Sequence, residues 1–514
     1  MSKLVQLYAA AINGLKAIPV EVEVDTSGGL RSTIVGLPDN AVRESLERIT
    51  SAIHNTIGKI PPLKFTINMA PADLRKEGSA YDLPITVGIL AVAGYISNNA
   101  LQRYMMLGEL GLDGTLRPIH GALPVAITAR SMQLDGLIVP NHNVREAAVV
   151  NKLPVYGARN LSEVIDLLNG RPGLQPTIID TRAEFSSHQL VFDNDFQDVK
   201  GQENVKRALE VAAAGGHNLI MVGSPGCGKS MMAKRLPSIL PPLTLQESLE
   251  TTQIYSVAGK INSDTSLIAQ RPFRAPHHTI SDIALIGGGT LFQPGEISLA
   301  HNGVLFLDEL PEFSKSVLET LRQPIEDRHI VIARTRYCVD IPCSFMLVAS
   351  MNPCPCGYYN HPTHACTCTP GQIQRYMGKI SGPLLDRVDI QVEVTPVPFN
   401  DLAKAPLGES SAVIRERVVR ARTIQAQRFK EVGGVHCNAQ MSARLLRQFA
   451  QPDAEAVNRL QDAMERYDLS ARAYDRIMKV ARTIADLDGS PTIRLPHISE
   501  AIGYRNLDRS TWGE

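Results

Sequence analysis

A chain of 514 residues with 52 basic and 52 acidic side chains is too long for one hydrophobic core, and it carries no overall basic field that would attract nucleic acid to its whole surface. About three domains are expected at roughly 150 residues each, and any nucleic-acid contact must come from local patches or from several copies lining one channel. No run reaches the ~18 apolar residues a membrane helix needs, and the first ten residues lack a long apolar stretch with a cleavage site, so a cytoplasmic chain with no membrane partner is expected.

Residues 1–170 alternate strand-like and helix-like runs. Residues 20–24 read as a strand, 40–57 as an amphipathic helix, 65–68 as a strand and 81–93 as a helix; within the last, the apolar run from 84 to 96 marks a core helix. Short strands follow at 136–139 and 153–156, around a helical 144–151. This is an α/β domain of its own. Residues 171–195 hold Pro172, Pro176, Ser186 and Ser187 without a period and read as a linker. Residues 196–395 follow a strand–loop–helix pattern. Residues 396–410, with Pro396, Pro398, Pro406 and Gly408, read as a second linker, and the Ala-, Arg-, Leu- and Glu-rich stretch 411–514 as an all-helical domain.

An apolar strand at 219–222 runs into Gly223-Ser224-Pro225-Gly226-Cys227-Gly228-Lys229-Ser230, and a helix continues over 231–236. This is G-x-x-x-x-G-K-[ST] in the setting that makes it a phosphate loop. Its glycines let backbone N–H groups face phosphates, Lys229 supplies charge to the β- and γ-phosphates, and Ser230 offers a hydroxyl to Mg²⁺. ATP and Mg²⁺ are the expected ligands. A helix N-terminus can lower a thiol pKa, but Cys227 reads as only a small loop residue. A second buried strand, 303–307, ends in Asp308 and Glu309. Asp308 is placed to hold Mg²⁺ through water, and Glu309 to deprotonate the attacking water. A third strand, 345–350, leads to Asn352, whose amide can meet the γ-phosphate and the water. Arg387, in Leu-Leu-Asp-Arg-Val-Asp, suits neutralising phosphate charge on a neighbouring copy, and Arg472, in the first turn of a helix opening at Ser470, is the candidate for a second such arginine.

Together these features resemble the AAA+ family, and within it the branch of the magnesium-chelatase ATPase subunit and the replicative MCM helicases. Residues 271–299 (RPFRAPHHTISDIALIGGGTLFQPGEISL) look like that branch's insertion in its second helix, and 328–340 like its hairpin before the first sensor. The resemblance implies that the hairpin projects into a ring's pore, with Arg334 and Arg336 at or near its tip; six copies would form a basic collar for DNA phosphates. Along its whole length the chain is similar to the ComM/YifB family, most specifically at 70–82, at 274–285 and in the Pro-Cys run after Asn352. That implies a homo-hexameric DNA translocase driving branch migration on single-stranded or branched DNA during natural transformation. A chelatase-type motor or a protein-remodelling ATPase are the alternatives, although the metal-inserting partner's integrin-like D-x-S-x-S site is missing here.

Residues 69–83 (MAPADLRKEGSAYDL) and 108–118 resemble the proteolytic domain of Lon, and the matching domain of the RadA recombination protein more closely. The Lon alignment puts Ala80 where the nucleophilic serine belongs and Leu123 where its lysine belongs, with Ser79 one place off, so proteolysis is not expected. A scaffold or a DNA platform remains, with Lys64, Arg75, Lys76 and Arg117 as candidate contacts. Finally, Cys354-Pro-Cys356 and Cys366-Thr-Cys368 flank nine residues that include His361 and His364. A structural Zn²⁺ on the four cysteines, free redox-sensitive thiols and disulfides all stay open; a catalytic zinc is not expected, since four thiolates leave no free coordination position.

Overall fold

The computed structural model describes residues 4–27, 32–58, 63–289, 292–334, 337–396 and 408–505. The chain forms two compact units. The first gathers Met1–His188, Leu245–Ala269 and Ala333–Ile341; the second gathers Gln189–Thr244, Gln270–Ile332 and Pro342–Glu514.

The first unit is built on a seven-stranded sheet in the order Thr33–Val35, Lys64–Ala70, Lys16–Ser27, Val5–Asn13, Tyr104–Met106, Gly136–Pro140, Val155–Ala158. The long hairpin of Val5–Asn13 and Lys16–Ser27 pairs from Val5↔Val24 to Asn13↔Lys16, turning at Gly14 with φ +62°. The strands from Val5–Asn13 onward to Val155–Ala158 run parallel to one another. Asp82–Val92 is buried at every position, which explains a sequence that is apolar all round rather than striped. The expected helix at 40–57 is Asn40–Ile57, capped by the Asp39 carboxylate, which accepts from the Val42 N–H at 2.8 Å. Within residues 171–195 the chain forms the helix Thr181–His188, its first turn capped by Asp180 and its Glu184 paired with Arg145 at 2.6 Å.

The second unit carries a five-stranded, wholly parallel sheet ordered Phe273–Arg274, Val304–Leu307, Met346–Met351, Leu219–Gly223, Ile390–Val394. Leu219–Gly223 is buried throughout and flanked on both sides, as its unbroken apolar run requires. The register aligns the carboxyl ends of the strands: Val222 lies beside Met351, and Leu307 beside Ala349. Loops that leave three strands therefore meet at one edge. Helices Ser411–Arg428, Ala443–Phe449, Ala454–Arg466, Ala471–Leu487 and Leu495–Gly503 share a core with the sheet, where Ile414, Ile477, Ile484 and Ile498 pack in the same cluster as Leu219 and Met221. Most of the second expected linker, residues 397–407, lies outside the described residues. Among the described residues no helix is long and apolar enough to cross a membrane.

Candidate active site

The phosphate loop turns out of Leu219–Gly223 and into the helix Lys229–Arg235, with Gly226 at φ +78° and Gly228 at +92°. A Cβ on Gly223 would lie 2.3 Å from the Val394 carbonyl oxygen, so only glycine lets the strand end run this close to its neighbour. Lys229 is 9% exposed; its ammonium donates to the carbonyls of Gly223 (2.6 Å) and Ser224 (2.9 Å) and to Asn352 Oδ1 (3.2 Å). The Ser230 hydroxyl donates to Asp308 Oδ2 at 2.6 Å, while the Ser350 hydroxyl donates to Asp308 Oδ1. Two hydrogen-bonded sets thus stand side by side at the sheet edge, Lys229 with Asn352 and Asp308 with Ser230 and Ser350, joined through the adjacent residues Lys229 and Ser230 at the helix start. The Ser224 hydroxyl is buried without a partner, and Lys229 turns back on its own loop carbonyls. An unpartnered donor and a cation whose partners are all uncharged are what a polyphosphate with its Mg²⁺ fits. Burial dominates at Cys227 and pushes its thiol up, so the helix end does not make it a reactive thiolate.

Glu309 takes the left-handed conformation (φ +54°), and its side chain is 58% exposed. His278 Nδ1 stands 3.6 Å from its carboxylate. His278, Ser350 and Tyr376, which lines one cavity with Glu309 and Asn352, were not foreseen from sequence. Ser350 had a weak signal, on the strand that ends just before Asn352; the other two had none, because a loop brings in His278 and the helix Pro370–Met377 brings in Tyr376.

The two candidate arginines lie together, on a different cluster. Arg387 donates to Pro383 O at 2.5 Å and pairs with Glu326 at 2.7 Å; it is only 13% exposed and its Nε has no partner. Arg472 pairs with Asp386 at 3.0 Å and is 71% exposed. Both line a small cavity with Glu326, Asp475, Arg476 and Lys479. Beneath it, Asp389 is fully buried. Burial alone would raise its carboxyl, but Arg476 at 2.9 Å and His217 at 3.2 Å hold it well below the usual range. Among the described residues, neither Arg387 nor Arg472 hydrogen-bonds or pairs with Lys229, Ser230, Asp308 or Asn352.

The expected hairpin is present as His329–Arg334 and Tyr337–Pro342. Arg334 is exposed at the end of its first strand; Arg336 lies outside the described residues. In the first unit, Leu123 is buried and Ala80 packs against the same apolar cluster, so both positions of the missing dyad face hydrocarbon. Ser79 donates instead to Glu109. Lys76 is fully buried with its ammonium on Pro71 O, which removes it as a DNA contact, while Arg75 and Arg117 are exposed and paired with Glu77 and Glu109. The four clustered cysteines bring their sulfurs within 4.8 Å of one another, and all eight cysteines of the chain are unbridged.

Comparison with known families gives three matches in chain order. Subunit ChlI of Mg-chelatase matches residues 21–143; the family described as magnesium chelatase, subunit ChlI, matches 195–402; and its C-terminal family matches 408–505. The competence protein ComM of Haemophilus influenzae is 42% identical over 509 residues, covering 98% of this chain and 97% of that protein. The YifB protein of Escherichia coli is 43% identical over 510 residues, again 98% and 97%. A more distant match, 27% identical over 156 residues, is to Lon protease 2 of Bacillus subtilis, covering 28% of this chain and 27% of that one.

Proposed function

Because the chain belongs to the ComM/YifB family of magnesium-chelatase-like AAA+ ATPases, we propose that it is a cytoplasmic, ring-forming motor that uses ATP to move along DNA and drive branch migration between recombining strands. The observation that carries the ATPase reading is the pairing of Lys229 with Asn352 and of Ser230 with Asp308, from adjacent residues of the phosphate loop to two strand ends at the carboxyl edge of the parallel sheet. Crevices outside the carboxyl ends of such strands are where open α/β sheets bind ligands. The DNA reading is supported by the name of the full-length relative, a competence protein, and by the exposed Arg334 on the hairpin.

In this reading the loop N–H groups of residues 223–230 and the Ser224 hydroxyl hold the phosphates. Lys229 leaves its carbonyl partners to meet the β- and γ-phosphates. Ser230 and Asp308 would hold Mg²⁺, which supplies charge neutralisation across those phosphates. Glu309 takes the proton of the attacking water, and Asn352 orients that water. Arg387 and Arg472 share a cluster of their own, and in a ring of six each copy would present both to its neighbour's phosphates. In-trans guanidinium assistance of this kind leaves turnover dependent on assembly.

The test is ATP hydrolysis and strand migration on three- and four-way DNA junctions. The wild-type chain should be stimulated by DNA and move the branch point. Glu309→Gln should bind ATP while losing about 10²–10⁴-fold in turnover. Arg334→Ala with Arg336→Ala should keep basal hydrolysis but lose DNA stimulation. Hydrolysis that ignores DNA but responds to a protein partner would instead favour a remodelling ATPase.

A further inference from the structure

Cys354, Cys356, Cys366 and Cys368 form a side-chain cluster that the ATPase reading leaves unused. Their sulfurs are 3.3 Å apart for Cys354–Cys356, 3.7 Å for Cys354–Cys366 and 3.5 Å for Cys356–Cys366. A tetrahedral zinc site with ~2.3 Å arms has edges of ~3.8 Å, whereas a disulfide needs sulfurs ~2 Å apart. Sulfurs grouped this closely surround one ion rather than a multi-iron cluster. Two backbone N–H groups already point at sulfur: Cys356 N–H donates to Cys368 Sγ and Cys368 N–H to Cys366 Sγ, both at 3.4 Å. Such N–H···S contacts stabilise thiolates and orient metal ligands.

The cluster is also wired to the ATP site. Cys354 is fully buried two residues after Asn352. Gly357 (φ +85°) sits so close to Pro225 of the phosphate loop that a Cβ there would meet its ring at 2.6 Å. Cys368 is followed at once by the helix Pro370–Met377, started by a Thr369–Gln372 capping box, and Tyr376 on that helix lines the same cavity as Asn352. Cys356 and Cys368 line one cavity together with Glu309 and Asn352. Tying 354 and 356 to 366 and 368 therefore sets two flanks of Asn352 at once, the strand that delivers it and the helix whose Gln372 and Tyr376 line its cavity.

We propose that these four cysteines bind one Zn²⁺ as a closed tetrathiolate site, and that the ion is a positioning element for Asn352 and for the Pro225 side of the phosphate loop. The second half rests on the ATPase reading above; the first does not.

The full-length protein should carry one zinc per chain by metal analysis. After chelation and addition of Co²⁺ it should show the thiolate-to-cobalt charge-transfer and tetrahedral d–d bands of an S₄ site. Cys356→Ser with Cys368→Ser, which spares the buried Cys354, should lose the metal. Hydrogen exchange at 346–352 and 370–377 should then rise while the rest of the second unit keeps its protection, and ATP turnover should fall roughly tenfold. Chelating the wild-type chain should do the same, reversed by zinc. A wild-type chain without zinc, or one holding iron instead, overturns the metal assignment. Metal loss that leaves both exchange at 346–352 and turnover unchanged overturns the positioning role. A zinc-loaded chain that never hydrolyses ATP refutes the ATPase reading and the positioning role with it, while the metal assignment stands.

Discussion

At the scale of single residues, the site depends on places where the backbone is forced rather than merely favoured. Glu309 holds a left-handed conformation that costs a non-glycine residue about 1 kcal/mol, and its exposed carboxylate stands 3.6 Å from His278. Asp308 takes the opposite course, receiving Ser230 and Ser350 on its two oxygens. Gly223 has the least room: a methyl group there meets the Val394 carbonyl at 2.3 Å, and that oxygen belongs to a sheet strand that cannot swing aside. Gly223→Ala should therefore cost ~1–3 kcal/mol of stability and weaken nucleotide binding, while Gly226, with open space around it, would suffer chiefly from its positive φ. Denaturant midpoints and titration with a fluorescent ATP analogue check this; an unshifted midpoint would mean that the strand ends relax more easily than their pairing implies.

At the scale of elements, the helix Leu245–Val257 shows how a segment joins a unit remote from it in sequence. The Ser256 carbonyl accepts from Gly121 N–H at 2.9 Å, its hydroxyl accepts from Leu123 N–H at 3.3 Å, and Gln253 donates to Leu15 O at 2.6 Å. The Ser256 hydroxyl also bonds to Glu146, a buried carboxyl whose other partner is Asn143 at 2.8 Å. Burial without a cation pushes Glu146 up to about 7. A carboxyl raised in the folded state binds its proton more tightly there than in the unfolded chain. Its contribution is therefore complete below about pH 4.5 and is lost as pH rises through about 7. Between those limits the first unit should lose on the order of 2–3 kcal/mol from this group. Glu146→Gln should flatten that part of the stability-versus-pH curve, measured by thermal melting between pH 4.5 and 8; a curve as steep as the wild type's would assign the dependence to other groups. The second unit carries the opposite sign at His217. Buried against Asp389 and lowered by burial, it contributes fully above ~6.5 and less as pH falls below that.

At the scale of the whole molecule, the clustered phosphate-loop groups and the separate Arg387–Arg472 pair make each chain half of a reaction centre in the proposed ring. Arg387→Ala should bind ATP normally, lose turnover by ~10³-fold or more, and, mixed into wild-type protein, depress activity more than in proportion to its share. Native mass spectrometry with Glu309→Gln and ATP should find six copies. A chain that stays single with nucleotide and junction DNA, or an Arg387→Ala variant with full turnover, would rule out the shared centre.

The residue types of the phosphate loop, the paired carboxylates Asp308–Glu309 and the strand leading to Asn352 are dictated by adjacent positions, so sequence alone located them, along with the α/β alternation, the C-terminal helices and family membership. Ala80 and Leu123 were legible for the same reason, as departures from a local pattern. What local pattern does not encode came only from tertiary structure: Glu326 as the partner of Arg387, Tyr376 and Ser350 around the site, the burial of Lys76, the dominance of burial at Cys227, and the helix Leu245–Val257 within the first unit. Each depends on segments tens to hundreds of residues apart, brought together by apolar burial that many sequences satisfy equally well. The four cysteines stood between these cases. Their spacing announced a cluster, but whether four sulfurs converge on one point is a matter of distances, and those exist only once the chain has folded.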